Sequence, residues 1–281
     1  MARAMLPALA FIAPCGCEPL IAAPAEPATP AAVGLQTEVV FSEYSPLSAS
    51  SEVVRRLLTP LAAAQVRRAL ERSGEGLREQ SIDLTAERFL LYVPARAPAD
   101  GYGILVFVPP WDEARLPEGW PAVLDRYGMI FVSVARSGND TDPLGRREPL
   151  ALLGAWNVMQ RYPVDARRVY VGGFSGGGHM ALRLALAYPD LFRGALLNAG
   201  SDRIDAGPPS PPARELLTRF QEATRIVYVT GEHDTARLSM DGASLESMRE
   251  WCVQGTASRV SHGAAHQRRT RQSVALAAAL E

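Results

Sequence analysis

Val169-Tyr170-Val171-Gly172-Gly173-Phe174-Ser175-Gly176-Gly177 is the stretch whose reading decides the fold. Residues 169–173 form a short apolar run that reads as a strand, and residues 178–188 carry helical periodicity. Between them, Gly173-Phe174-Ser175-Gly176-Gly177 fits G-x-S-x-G in the strand-turn-helix setting that such a serine requires. The requirement is steric. The serine sits on a strained turn, and only small flanking residues let the strand and helix approach closely enough to form it. The helix that follows turns its first N–H groups, and the positive end of its dipole, toward any oxyanion that develops there. Ser175 is therefore the candidate nucleophile, with the Gly176 N–H as one oxyanion donor. Gly176, Gly178 and Ala181 also satisfy G-x-G-x-x-A, a dinucleotide fingerprint. That reading needs an acidic residue about twenty positions on, at the end of the next strand. The next strand ends instead in Asn198-Ala199-Gly200, and Asp190 falls in a loop.

Outward from this turn, apolar runs and helical patterns alternate. Residues 89–94, 104–108, 129–134, 194–199 and 225–230 read as strands, with a weaker one at 257–261. Residues 150–161, 243–252 and 267–280 read as helices. Strands apolar on both faces, alternating with helices, predict a mostly parallel sheet covered on both sides. Ligands in such sheets bind beyond the carboxyl ends of the strands.

Composition narrows the chemistry. The chain has 281 residues and no lysine, all 29 of its basic residues being arginine. Schiff-base chemistry and a Walker lysine are thereby excluded, since both need a primary amine. A net charge of −1 offers no basic field for nucleic acid. The three cysteines, Cys15, Cys17 and Cys252, cannot build a disulfide framework or a thiolate zinc site in the folded body. Cys252 lies in a helix-like run, 245–253, and is expected to be a buried thiol.

Residues 1–35 read as an export signal followed by an Ala/Pro-rich tether: Arg3, an apolar stretch over 4–14, then Cys15-Gly16-Cys17 and the run 19–32. A cysteine just past the apolar stretch resembles a bacterial lipoprotein signal, so Cys17 or Cys15 is a candidate lipid anchor. The chain is accordingly expected to be exported, whether periplasmic, membrane-anchored or secreted. Residues 36–281 are expected to form one domain, with a helical segment at 48–77 that is either a small cap or a helix packed outside the sheet.

A serine nucleophile needs a base, and there are four histidines. His179 lies one helical turn after Ser175, where its side chain runs along the helix. His233 adjoins Asp234 and is expected to point the opposite way. His262 and His266 follow the last strand signal, where the base belongs in the chain order Ser, acid, His. His266 closes the flexible Gly263-Ala264-Ala265-His266 and is favoured over His262. For the acid that orients the imidazole, Asp234 follows the strand at 225–230, with Glu232 and Asp202 as alternatives. The second oxyanion donor should come from the loop after the strand at 104–108. Pro109 and Pro110 have no N–H, so Trp111 is the first candidate.

From about residue 89 onward the chain resembles the poly(hydroxybutyrate)-depolymerase and feruloyl-esterase-like branch of the α/β-hydrolases. The matching pieces are residues 105–110, Arg136-Ser137-Gly138-Asn139, residues 165–177, Gly231 to Asp234 and Gly263 to His266. The resemblance implies an α/β-hydrolase sheet of about eight strands with helices on both faces. It also implies cofactor-free, metal-free cleavage of small or polymeric carboxylic esters through an acyl-enzyme, with Ser175, Asp234 and His266 on the triad positions. One departure stands out: members of this branch have His-Gly where this chain has Pro109-Pro110. A serine peptidase or thioesterase would use the same scaffold. A catalytically inert binding protein of this fold is disfavoured, because all three triad positions are filled.

Overall fold

The computed structural model describes residues 32–261, except 75, 77 and 205–208. Among them, eight strands form one sheet: β1 (Gly34–Val39), β2 (Phe89–Val93), β3 (Tyr102–Val108), β4 (Met129–Val134), β5 (Val164–Phe174), β6 (Gly194–Asn198), β7 (Arg225–Gly231) and β8 (Thr256–Ser261). Their order is β1-β2-β4-β3-β5-β6-β7-β8. β2 runs antiparallel to both β1 and β4, and every pairing from β4 to β8 is parallel. The helices are α1 (Ser50–Leu57), α2 (Pro60–Ser73), α3 (Trp120–Tyr127), α4 (Glu148–Arg161), α5 (Gly176–Ala187), α6 (Arg214–Ala223) and α7 (Thr235–Glu250).

The sequence dictates the layering. Every residue of β3, β4 and β6 is buried, as strands covered on both faces must be. Alternate residues then serve alternate layers. Ile104, Val106 and Val108 join Val132, Leu150 and Ala181 in one core. Leu105 and Phe107 turn the other way, against Phe131, Leu124 and Trp120. In that second layer the Trp120 ring stands edge-on to Phe107 and Phe131, with centroids 5.4 and 5.7 Å away.

The 48–77 segment is two helices, because Leu58 is extended and Thr59-Pro60 caps and starts a new one. It does not cap Ser175. Arg56 on α1 bonds the carboxylate of Asp190 and the carbonyl of Ala187, the last residue of α5. That end of α5 lies about 18 Å along the helix from its start beside Ser175. The sequence pattern gave no sign of β1, α3 or α6. β1 begins inside the stretch read as tether. α7 starts at Thr235 instead of 243, because its first two turns are mostly polar. Cys252 corrects an expectation: it lies past the end of α7 with φ 56° and is exposed. The signal and anchor candidates Cys15 and Cys17, the helix at 267–280, and both His262 and His266 lie outside the described residues. No helix among the described residues is long and apolar enough to cross a membrane.

Candidate active site

Ser175 stands between β5 and α5 with φ 52° and ψ −120°, a conformation that costs an L-residue on the order of 1–3 kcal/mol. Glycines make the turn possible. A Cβ on Gly173 would collide with the Gly177 backbone, and one on Gly177 with the carbonyl of Val108. Strand, helix and the loop after β3 thus meet at backbone contact around the serine. The Ser175 N–H donates to the Asn198 carbonyl at 2.8 Å, tying the turn to the end of β6. As the first residue of α5, Gly176 has an N–H without an intrahelical acceptor, available to an oxyanion.

The carboxyl edge of the sheet gathers the other candidates. Asp234 follows β7 and caps α7, its Oδ1 accepting from the Arg237 N–H at 3.3 Å. Glu232 Oε1 instead lies 3.3 Å from Nε2 of His233, whose side chain is 66% exposed. The other alternative acid, Asp202, places Oδ2 at 2.8 Å from Nδ1 of His179. His179 and Asp202 are thus paired with each other. β8 ends at Ser261, whose carbonyl accepts from the Glu232 N–H at 3.1 Å.

The loop after β3 forms the opposite wall. Trp111 lies with its ring 6.0 Å from that of Phe174, the residue before Ser175, and the Arg115 guanidinium stacks 4.1 Å above it. A second loop, after β4, packs on the first. The Gly138 N–H donates to Asp112 Oδ1 at 3.1 Å, and the Asn139 N–H to the Pro110 carbonyl at 3.2 Å. Beneath both, the buried Arg147 donates to the carbonyls of Pro109 at 2.9 Å and Ser137 at 3.1 Å. Burial pulls its pKa below the usual arginine value. Its neighbour Glu148 is fully buried against Arg183 Nε at 2.6 Å, and burial raises its carboxyl pKa despite that partner. Arg147 and the carboxamide of Asn139 had no role in the sequence reading. A buried arginine leaves no local signal, and Asn139 showed only as part of Arg136-Ser137-Gly138-Asn139. Among the described residues no three histidine, cysteine or acidic side chains cluster as metal ligands would.

The fold recurs in solved structures. An esterase of the archaeon Pyrobaculum calidifontis superposes with a TM-score of 0.51 at 15% identity, covering 69% of this chain and 78% of its own. Dipeptidyl peptidase 4 of Porphyromonas gingivalis gives 0.51 at 16% identity over 69% of this chain and 33% of its own. The fold is that of the α/β-hydrolases. In sequence, the chain is similar to a poly(3-hydroxybutyrate) depolymerase of Ralstonia pickettii, 30% identical over 95 residues. The match covers 29% of the present chain and spans about a fifth (20%) of the depolymerase. No protein-family model matches the chain.

Proposed function

We propose that this α/β-hydrolase is a serine hydrolase cleaving carboxylic esters through an acyl-enzyme, with Ser175, His266 and Asp234 as its triad. The observation that carries the reading is the backbone of Ser175, held at φ 52° in a turn that presents its side chain at the carboxyl edge of the sheet. A strained strand-to-helix turn of this kind exposes the serine Oγ above the sheet, where a base can reach it. Short-range likeness to a poly(3-hydroxybutyrate) depolymerase, whose name denotes a polymeric ester, supports the ester class.

In this mechanism Ser175 Oγ attacks the ester carbonyl while His266 takes its proton. The Gly176 N–H, with Trp111 as the second candidate donor, stabilises the tetrahedral oxyanion. The carbonyl re-forms, the C–O bond to the alcohol breaks, and His266 returns the proton to the departing oxygen. Water then attacks the acyl-enzyme by the same route and releases the acid, with Asp234 holding the imidazole in the right tautomer.

The test is labelling of the purified full-length protein with a fluorophosphonate probe, followed by peptide mapping. It is paired with hydrolysis assays on p-nitrophenyl esters of graded acyl length. A label on Ser175 that is lost on heat denaturation, with turnover abolished in Ser175→Ala, is the expected result. Folded protein that neither labels nor turns over any ester, or that prefers amides to esters, refutes the reading.

A further inference from the structure

We propose that Asn139 is a catalytic residue whose side-chain Nδ2 donates a hydrogen bond to the oxyanion beside the Gly176 N–H, an inference that rests on the serine esterase reading above.

Gly176 follows the nucleophile, and the space that a side chain there would fill is taken by the Asn139 carboxamide. A Cβ on Gly176 would collide with Asn139 Oδ1 and stand 2.9 Å from Nδ2. Nδ2 is therefore within about 5.5 Å of the Gly176 nitrogen, given ordinary bond lengths. A single oxygen can lie at hydrogen-bond distance from two donors only if they are within about 6 Å of each other. The pair meets that limit.

The loop after β3 creates the need for such a donor. Pro109 and Pro110 have no N–H to give, which leaves Trp111 as the first backbone donor past the strand. Asn139 comes to this loop through its own backbone, whose N–H bonds the Pro110 carbonyl. The turn carrying it is fixed on every side. Arg136 N–H donates to the Asp112 carbonyl at 2.6 Å, and Thr141 donates to the Gly138 carbonyl from both its N–H, at 3.2 Å, and its hydroxyl, at 2.7 Å. Arg147 holds the carbonyls of Pro109 and Ser137 from below. The carboxamide itself is exposed, and Nδ2 has no hydrogen-bond partner among the described residues. A neutral, uncommitted donor carried on a fixed turn at the mouth of the site is a dipole placed to stabilise developing charge.

In the step concerned, the Ser175 Oγ–C bond forms and the carbonyl π pair moves onto oxygen. That oxygen accepts from Gly176 and Asn139 and no proton leaves Asn139. The donor bond weakens again as the carbonyl re-forms and the alcohol departs with the proton from His266.

The experiment compares wild type, Asn139→Ala and Asn139→Asp in the full chain, using steady-state hydrolysis of p-nitrophenyl butyrate. Inhibition by a trifluoromethyl ketone, whose hemiketal mimics the oxyanion, is measured in parallel. The expected result is a kcat lower by about 10²–10³-fold with KM changed less than about 3-fold in both variants. Ketone affinity should fall in step with kcat/KM, while Tm stays within about 2 °C because the side chain is exposed. The aspartate variant should be no better than alanine, since it keeps the volume but removes the donor and adds like charge. A kcat within about 3-fold of wild type in both, or a loss confined to KM, overturns the assignment and leaves Trp111 as the second donor. An active wild type with an unimpaired Asn139→Ala sinks this inference alone. A wild type that neither labels nor turns over sinks the esterase reading and this inference with it.

Discussion

Arg147 donates from Nη2 to the carbonyl oxygen of Pro109 at 2.9 Å, so a buried cation sits directly under the loop after β3. The same guanidinium reaches the Ser137 carbonyl at 3.1 Å, and so fastens together the loops after β3 and β4. Arg147→Met should leave two carbonyls without a donor, which lowers stability by about 2 kcal/mol in a urea titration. Esterase kcat should fall with it, because the walls of the oxyanion site lose their common anchor. Arg147→Lys should recover little, since one ammonium cannot copy a planar fork spanning two acceptors. Wild-type stability in the methionine variant would show that the clamp is dispensable.

Ser175 holds a backbone conformation that glycine adopts without strain. Ser175→Gly is expected to be inactive yet more stable than Ser175→Ala. Relief of about 1–3 kcal/mol of strain outweighs a glycine entropy cost of about 0.5–1 kcal/mol. Thermal melts of the two variants side by side decide it: a glycine variant that melts below the alanine variant would mean the turn is not strained in solution.

Asp241 is buried and accepts from Ser201 Oγ and Thr230 Oγ1, each at 2.6 Å. Burial raises its pKa, and the hydroxyl bonds only partly oppose this. A carboxyl whose folded pKa lies above its unfolded one stabilises the protein fully below the unfolded value, and that stability is lost as pH rises through the folded value. The difference in unfolding free energy between Asp241→Asn and wild type should therefore move in favour of the variant as pH rises. The slope is at most about 1.4 kcal/mol per pH unit above the ordinary carboxylate range. Urea titrations at about pH 5 and about pH 8 measure it. A difference independent of pH would mean that the group ionises normally.

His179, on α5, and Asp202 form a pair of their own, 2.8 Å apart. With His266 as base and Asp234 as acid, His179→Ala and Asp202→Asn should keep more than about a tenth of wild-type kcat, whereas Asp234→Asn loses it by several orders of magnitude. Fluorophosphonate labelling rates on the three variants provide the comparison. If His179→Ala were as dead as Ser175→Ala, the base would be His179.

α1 is pinned to the body of the protein by Arg56, which bonds Asp190 at 2.7 and 2.9 Å and lies over the Tyr188 ring at 4.8 Å. Its side chain is 7% exposed, so Asp190→Ala would leave a largely desolvated cation with Glu52, on α1 itself at 2.8 Å, as its remaining carboxylate partner. Limited proteolysis of that variant should cut within α1 and α2 sooner than in wild type, while ester turnover persists. Cleavage unchanged in rate would mean that the apolar contacts of Val53 and Leu57 hold α1 unaided.

The parallel sheet and the strained turn at Ser175 were legible in the sequence because both are local. Strands 89–94, 104–108, 129–134 and 169–173 announced themselves by unbroken apolar runs, and the elbow by glycines that only such a turn demands. α6 was not legible: Leu216 and Phe220 are its buried residues, too sparse a stripe to stand out from a loop. α3 failed for its shortness, and β1 for its exposed, alternating edge. The placement of β4 between β2 and β3, the approach of Asn139 to Gly176 and the reach of Arg147 under Pro109 were decided by the tertiary structure alone. Each joins residues far apart in sequence, brought together by the crossovers of the sheet. Hydrophobic periodicity fixes which face of an element turns inward, and it carries no information on which loop will meet which other at the sheet's edge.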